Sequence, residues 1–390
     1  MAREKASAVS SVFLALVTIL VMVAAVYGAA TKNLYVSTAG VNSATCGTST
    51  SNPCKTINYT LQYRATPNTN LILAPGTYNE NVLINRDKNL IALIGDGPGV
   101  CKITAPSTTT GAVEVHGVQV ALKGLAISGG GPGLFAGEAS VKVQQCTILN
   151  GIGAESSNLQ LEGVTVKNTK GPGIGMSNNS TAFLARCNLS GSAGPALFVR
   201  QNSSVNLDTC TISGNNTSLS GALGAINLVA NSSVNLMGNT ITSNKASGIS
   251  LQSGSIAQLM GGNKVMNNGT ATTLTSNFRC GISIAFSSHV DLNPWPPGTT
   301  KDQISGNYGP GIWMTSKGDL MVMGAVINGN HGDGVELHGN STANFTSGAT
   351  ITYNTGYGIA CYDTANDSKY MGSPGTNTNN TKGPTKCFRY

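Results

Sequence analysis

Charge is scarce in this 390-residue chain: Asp, Glu, Lys and Arg together make 10% of it, and aromatic residues only 5%. So few charges exclude a coiled coil or an ordinary helical bundle. The formal net charge of +7 comes from basic residues scattered singly, without the cluster that a nucleic-acid partner needs. Long apolar runs are missing after the first 30 residues, which argues against a polytopic membrane protein. No CxxC spacing or paired histidines occur, so no metal and no cofactor is expected. What is plentiful is glycine, 49 residues, with Asn, Ser and Thr on a 40% hydrophobic background. That mixture is too apolar for charged disorder and points to a turn-rich all-β protein.

At the amino terminus Arg3 and Lys5 precede an apolar run from Val12 to Val26, and Gly28, Ala29 and Ala30 follow. This is the order of a secretory signal peptide over residues 1–30, an uncleaved membrane anchor being the alternative. A secreted, extracellular location is therefore expected, or a cell-surface one if the segment is retained. Thirteen N-x-S/T sequons agree with export: Asn58, Asn202, Asn231, Asn340 and Asn344 are the candidate acceptors, and Asn215, Asn216 and Asn268 belong to the set. Of nine cysteines, Cys46 with Cys54 and Cys361 with Cys387 flank polar loops and read as disulfide staples near the two ends.

Internal repetition organises the rest. A phrase of Gly or Ala, aliphatic, any residue, apolar recurs as GIGM at Gly173, ALFV at Ala196, AINL at Ala225, GISL at Gly248, GISI at Gly281, GIWM at Gly311, GVEL at Gly334 and GIAC at Gly358. Its aliphatic residues are spaced by 23, 29, 23, 33, 30, 23 and 24 residues. Alternating segments such as SVNLDTCTISGN from Ser204 and SVNLMGNTITSN from Ser233 lie between them. Such short alternating pieces are strands, and a unit of about 23 residues buries its apolar side only by stacking on copies of itself. The expected fold is a parallel coil of about 10–12 turns, each roughly 4.8 Å above the last. Asn150, Asn168, Asn244, Asn307, Asn330 and Asn354 are expected to close equivalent turns and to hydrogen-bond their copies. Cys187 and Cys210 fall in one column, with Cys146 two coils earlier. Stacking permits a disulfide there, and a ladder of buried thiols is the preferred reading. The pairing of Cys101 and Cys280 is left open.

These GI-x-L phrases, the N-T-I and C-T-I segments, and the opening order LYVSTAG, PCKTINYTLQYRA, LILAPGTYNENVLI, LIALIGDGPG resemble the pectin-lyase-like right-handed parallel β-helix superfamily from about Asn33 to Cys387. The resemblance implies an all-β, right-handed parallel β-helix with a short N-terminal capping helix, consistent with the right-handed bias of parallel crossovers. It divides the chain into a cap and first coils over 31–110, repeats over 111–365, and a C-terminal tail or cap over 366–390. Ile57, Leu61 and Tyr63, on a helix from about Thr56 to Ala65, are expected to cover the open end of the coil. The resemblance carries no activity to a named residue. The N-T-D, D-D, G-H-G and R-I-K set of polygalacturonases and the D-P-H-D of uronate epimerases are both missing from this sequence.

If the aliphatic positions of the phrase face inward, the residue after each faces out. That column reads Glu114, Phe135, Gly153, Gly175, Phe198, Asn227, Ser250, Ser283, Trp313, Glu336 and Ala360. A second column two positions on begins with His116, Gly137 and Glu155, and includes Arg200, His338 and Tyr362. Most of this face is small, but Trp313, Glu336, His338 and Tyr362 form a patch roughly 10 Å long on three successive coils. Trp313 and Tyr362 are candidate sugar platforms, together with Trp295 and Arg279 from inserted loops near Asn293–Thr300 and Asn268–Arg279. Glu336, His338 and Asp333 are the nearest candidates for catalysis, though a solvated strand exterior is the preferred reading of Glu336 and His338. The expected role is structural or adhesive, with a polysaccharide or glycoconjugate as partner. A polysaccharide lyase or glycoside hydrolase is the alternative.

Overall fold

The computed structural model describes residues 32–106, 109–219, 224–294, 300–346, 348–363 and 367–387. Residues 1–30, Trp295 and the sequon Asn366 lie outside the described residues. The chain winds as a parallel β-helix with three long sheets of 14, 13 and 13 strands. Each full coil passes through sheet I, then II, then III, as in Ser204–Asp208, Thr211–Ser213 and Gly224–Leu228. The winding exceeds the expected 10–12 coils, because Lys369–Gly372, Thr376–Thr378 and Gly383–Thr385 add a last strand to each sheet. Those polar strands lack the aliphatic period that marks the others, which is why they read as a tail.

The interior follows from the repeat. Ile174, Leu197, Ile226, Ile249, Ile282, Ile312, Val335 and Ile359 pair strand to strand in one unbroken column. All are 0% exposed. At the N-terminal end a helix over Ile57–Tyr59 runs into a π-helical turn, Thr60–Arg64. Thr56 caps it by accepting from Tyr59 N–H at 3.2 Å, and the Glu80 carboxylate accepts from Ile57 and Asn58 N–H at 2.8 and 2.9 Å. Ile57 and Leu61 are buried over the first coils, whereas Tyr63 is 61% exposed. The wider π turn rotates Tyr63 off the covering face, where it packs on Tyr59 at 4.8 Å. The Cys46–Cys54 and Cys361–Cys387 disulfides are both formed.

Three corners per coil set the real constraint, since each turns the chain where sheet hydrogen bonds stop. Over much of the rod they solve it alike: a residue that usually has positive φ is followed by a buried small polar or thiol side chain whose acceptor takes the N–H of its counterpart one coil earlier. Between sheets II and III the ladder is Asn215, Asn244, Asn268, Asn307, Asn330, Asn354 and Asn380. Asn307, for example, donates from both N–H and Nδ2 to Asn330 Oδ1, at 3.1 and 2.9 Å. Asn150 and Asn168 instead occupy the preceding left-handed position, at φ 68° and 55°, in register with Gly191 and Gly214. The buried sequon residues Asn215, Asn216 and Asn268 have no room for a glycan.

Between sheets III and I the ladder is serine: Ser157, Ser180 and Ser203, then Ser232, Ser255 and Ser288. Between sheets I and II it runs Cys187, Cys210, Asn239, Asn263, Asp302. Cys146 stands in the same column as expected, and so does Cys101, but Leu125 and Val164 separate them, so Cys187 and Cys210 are the adjacent pair of buried thiols. Burial pushes the Cys146 thiol up to about 11 and Cys280, beside Ser247, up to about 12, keeping both unreactive.

Asp302 is the odd member. Its Oδ1 accepts from Asn263 N–H and Nδ2 at 3.0 and 2.8 Å, while the buried Oδ2 has no partner among the described residues. At that place Asn263 carries Nδ2, which donates to the Leu236 carbonyl at 3.0 Å. Burial raises the Asp302 carboxyl to about 6, against the hydrogen bonds from Asn263. A folded-state pKa above the unfolded value of about 3.9 means that stability falls as pH rises from about 4 to about 6, then stays low. Asp302→Asn restores a donor, so it is expected to remove that slope and to add roughly 2–3 kcal/mol at pH 7. Urea unfolding of both proteins at pH 4, 5 and 7 checks this; parallel pH profiles contradict it.

Candidate functional site

The outward column of sheet III holds its register throughout, from Glu114 through Phe135, Gly153, Gly175, Phe198, Asn227, Ser250 and Ser283 to Trp313, Glu336 and Ala360. Alternation along each short strand puts these side chains outside because the aliphatic neighbours are inside. Their surroundings differ. Asn227, Ser250 and Ser283 point outward yet are buried, in the stretch of coils that carries the insertions after Asn215 and Asn268. Glu114 and Phe135 at one end, and Trp313 and Glu336 near the other, remain partly accessible.

At the C-terminal end, the structure brings together Trp313, Asp333, Glu336, His338 and Tyr362. His338 Nε2 lies 2.8 Å from Glu336 Oε1, an imidazole oriented by a carboxylate. Trp313, one coil earlier, meets the His338 ring at 5.9 Å and 43°. Tyr362, one coil later, stacks on His338 at 5.2 Å and 13°. Lys386, on the last coil, sits 4.1 Å from the Tyr362 ring centre. Tyr362, 38% exposed, is thus packed on His338 and contacted by Lys386, which leaves less of its ring free as a sugar platform than the sequence suggested. Its hydroxyl donates to Asp333 Oδ2 at 2.8 Å. Trp313 is the ring at the end of the stack, partly exposed, with only Ser283 before it in the column.

Asp333 is a fastener rather than an acid or base. It is 3% exposed, and its second oxygen accepts from the Tyr357 N–H at 2.5 Å. Burial is the main cause that raises its carboxyl above the ordinary range, and the nearby Glu336 charge adds to it, while the bonds from Tyr357 and Tyr362 oppose it. Burial, then the Asp333 contact, pushes the Tyr362 phenol upward. Asp363 goes the other way: burial raises it, but the Ser368 hydroxyl and the N–H groups of Gly339 and Asn340 together outweigh that and lower it. The tightest carboxylate–imidazole pair left for chemistry here is thus Glu336 and His338.

Arg279 is placed elsewhere. It donates to the Gly269 carbonyl at 2.9 Å and lies 5.7 Å over Tyr308, which in turn stacks on His331 at 5.1 Å. This second stack belongs to the corner before sheet III and shares no contact with the Trp313 group among the described residues. Sequence reasoning missed Lys386, hidden in the apparent tail. It also missed a groove of about 650 Å³ at the N-terminal end of the same face, lined by residues that include Arg86, His116, Phe135, Glu138, Glu155 and Asn178. Its signal was present: two of the chain's four histidines stand in Val-Glu-x-His, at Val113–His116 and Val335–His338.

A stacked-coil rod of three parallel sheets with a rigid outer column defines a class of protein, the parallel β-helices. The chain belongs to the family described as right handed beta helix region, which matches residues 112–293 and 299–372, and its coil is right-handed. Among solved structures, it is similar to the A-module of the mannuronan C-5 epimerase AlgE4 from Azotobacter vinelandii, at 14% identity and a TM-score of 0.51, over 82% of this chain and 89% of that one. Pectate lyase Pel9A, at 10% identity and a TM-score of 0.36, covers 83% of this chain and 78% of its own. The catalytic domain of a GH87 alpha-1,3-glucanase gives 12% identity and a TM-score of 0.40, over 92% and 66%. No curated protein matches the sequence.

Tyr362→Phe leaves the buried Asp333 Oδ2 without its hydroxyl donor, and is expected to cost about 1–2 kcal/mol. Urea denaturation at pH 7 measures it. An unchanged midpoint means that Asp333 is not held by Tyr362.

Proposed function

We propose that this is a secreted or cell-surface β-helix protein that binds carbohydrate through the outward face of sheet III, in a structural or adhesive role. The observation that carries this reading is the Trp313 ring, fixed on a rigid strand beside the hydrogen-bonded Glu336–His338 pair. An apolar ring face packs on a sugar ring while neighbouring polar groups take its hydroxyls, the ordinary composition of a saccharide site. The fold shared with a module named as a mannuronan C-5 epimerase agrees with a polysaccharide partner. Two disulfides near the ends suit an oxidising compartment. Asn202, Asn231 and Asn340 are exposed left-handed residues at the corner between sheets III and I, well placed for glycans bordering the binding face. Asn58 and Asn344 are half-buried, and the Asn58 amide already donates to the Asn81 carbonyl at 2.9 Å.

The second reading is a polysaccharide lyase or glycoside hydrolase, favoured by the 2.8 Å Glu336–His338 contact, which resembles a proton-transfer pair. Glycan-array binding combined with a reducing-end assay on plant-wall and matrix polymers separates the two. Binding without turnover is expected, weakened about fivefold or more by Trp313→Ala, since one stacked aromatic contributes on the order of 1 kcal/mol or more. Turnover that Glu336→Gln abolishes would establish the enzyme instead. Binding indifferent to Trp313→Ala removes the site from either account.

A further inference from the structure

We propose that the N-terminal end of the same face carries a second saccharide site, built on Glu114, His116 and Phe135 and selective for neutral sugars. This rests on the carbohydrate reading above and extends it to a region that reading did not use. Glu114 and Glu336 occupy one outward column, nine strand steps apart, and each is followed two residues later by a histidine. His116 Nε2 lies 3.8 Å from Glu114 Oε2, and its ring meets Phe135 at 5.6 Å and 44°. At the other end the corresponding figures are 2.8 Å for His338 with Glu336, and 5.9 Å and 43° for His338 with Trp313. The same three kinds of group thus recur: the imidazole–aromatic geometry matches, the carboxylate contact is looser at the N-terminal end, and the aromatic comes from the following coil rather than the preceding one.

The surroundings make the N-terminal copy a receptacle. It opens into the groove of about 650 Å³, enough for two or three sugar rings. Glycines floor it. A Cβ at Gly153 would stand 3.0 Å from the Phe135 ring, and one at Gly137 would stand 3.0 Å from His116 Nδ1, so glycine at both positions lets the rings lie against the sheet. Phe135 offers the apolar surface and Glu155 an acceptor for hydroxyls, while Glu114, fixed by the Gly111 N–H at 2.8 Å, stands beside His116. Glu155 and Asp87 add negative charge, and the Arg86 cation is drawn to Glu138 at 3.6 Å. A carboxylate-rich rim repels uronates and accepts neutral rings.

Nine strand spacings place the two sites about 43 Å apart. The buried Asn227, Ser250 and Ser283 between them deny a ligand the intervening sheet. A long neutral polymer therefore engages the rod at two points, with the avidity that linked sites confer.

Calorimetric titration with the neutral trisaccharides cellotriose, laminaritriose, mannotriose and chitotriose, beside trigalacturonate, tests this. At least one neutral trisaccharide is expected to bind at two per chain. Phe135→Ala, or Gly137→Leu, which fills the groove beside His116 without removing a wall, should each reduce that to one while Trp313→Ala removes the other. The matching long polymer should then lose about 100-fold in affinity in any of the three variants. Circular dichroism confirms that each is folded. One site in the parent chain, lost with Trp313→Ala and unmoved by the two groove variants, overturns the second site alone. Preference for trigalacturonate overturns the ligand class, and no binding by any probe overturns the carbohydrate reading itself.

Discussion

Buried backbone donors at the corners are the constraint on which this molecule depends. A β-helix can satisfy its strands by stacking, but each turn out of one sheet and into the next exposes N–H groups to an interior that water does not reach. Here a side chain one coil later supplies the acceptor, and that side chain's own donor is taken by a carbonyl of an earlier coil. Asn330 shows both halves: its Oδ1 receives two bonds from Asn307, and its Nδ2 donates to the Ile304 carbonyl at 3.1 Å. Each such bond contributes only about 1 kcal/mol net, but leaving one unmade in the interior costs more than making it gains. Coil height and angular register are thereby both specified, where an aliphatic core alone tolerates slippage.

Register is what makes the outer surface functional. Because every coil is locked to its neighbours, residues 18 to 33 apart in sequence present themselves as one straight column. Three side chains from three coils, Trp313, His338 and Tyr362, then pack as a stack. The scaffold needs small outward residues over most of its length, which leaves chemistry to the few positions that depart from Gly and Ser. Those departures concentrate at the two ends of sheet III. They are carboxylate-rich on a chain whose net charge is +7, so the surface field at the face opposes that of the molecule as a whole.

Much of the fold is legible from the repeat phrase, because a two-residue alternation inside a 23-residue period has few physical solutions. The aliphatic column and the outward column were both readable, down to which residue faces which. The corners were less so. Asn150 and Asn168 look like Asn307 and Asn330 in sequence, yet a one-residue offset separates a solvated left-handed turn from a buried rung. The serine ladder was invisible, since serine is common everywhere in this chain. The last coil was missed because KYMG, TNT and GPT carry no aliphatic signal, and with it went Lys386, which contacts the Tyr362 ring. Whether an aromatic is a platform or a spacer depends on the next coil, and no local pattern reveals that.

The most direct measurement of the central claim is amide hydrogen exchange on Asn330→Leu, which keeps the branched heavy-atom skeleton of the rung and removes its hydrogen bonds. The account predicts a loss of about 2–4 kcal/mol, with protection failing first at Asn307 and in the coils on either side while the distant N-terminal coils stay closed. Unchanged protection and stability in that variant would mean that aliphatic packing alone sets the register, and that the corner ladders are incidental.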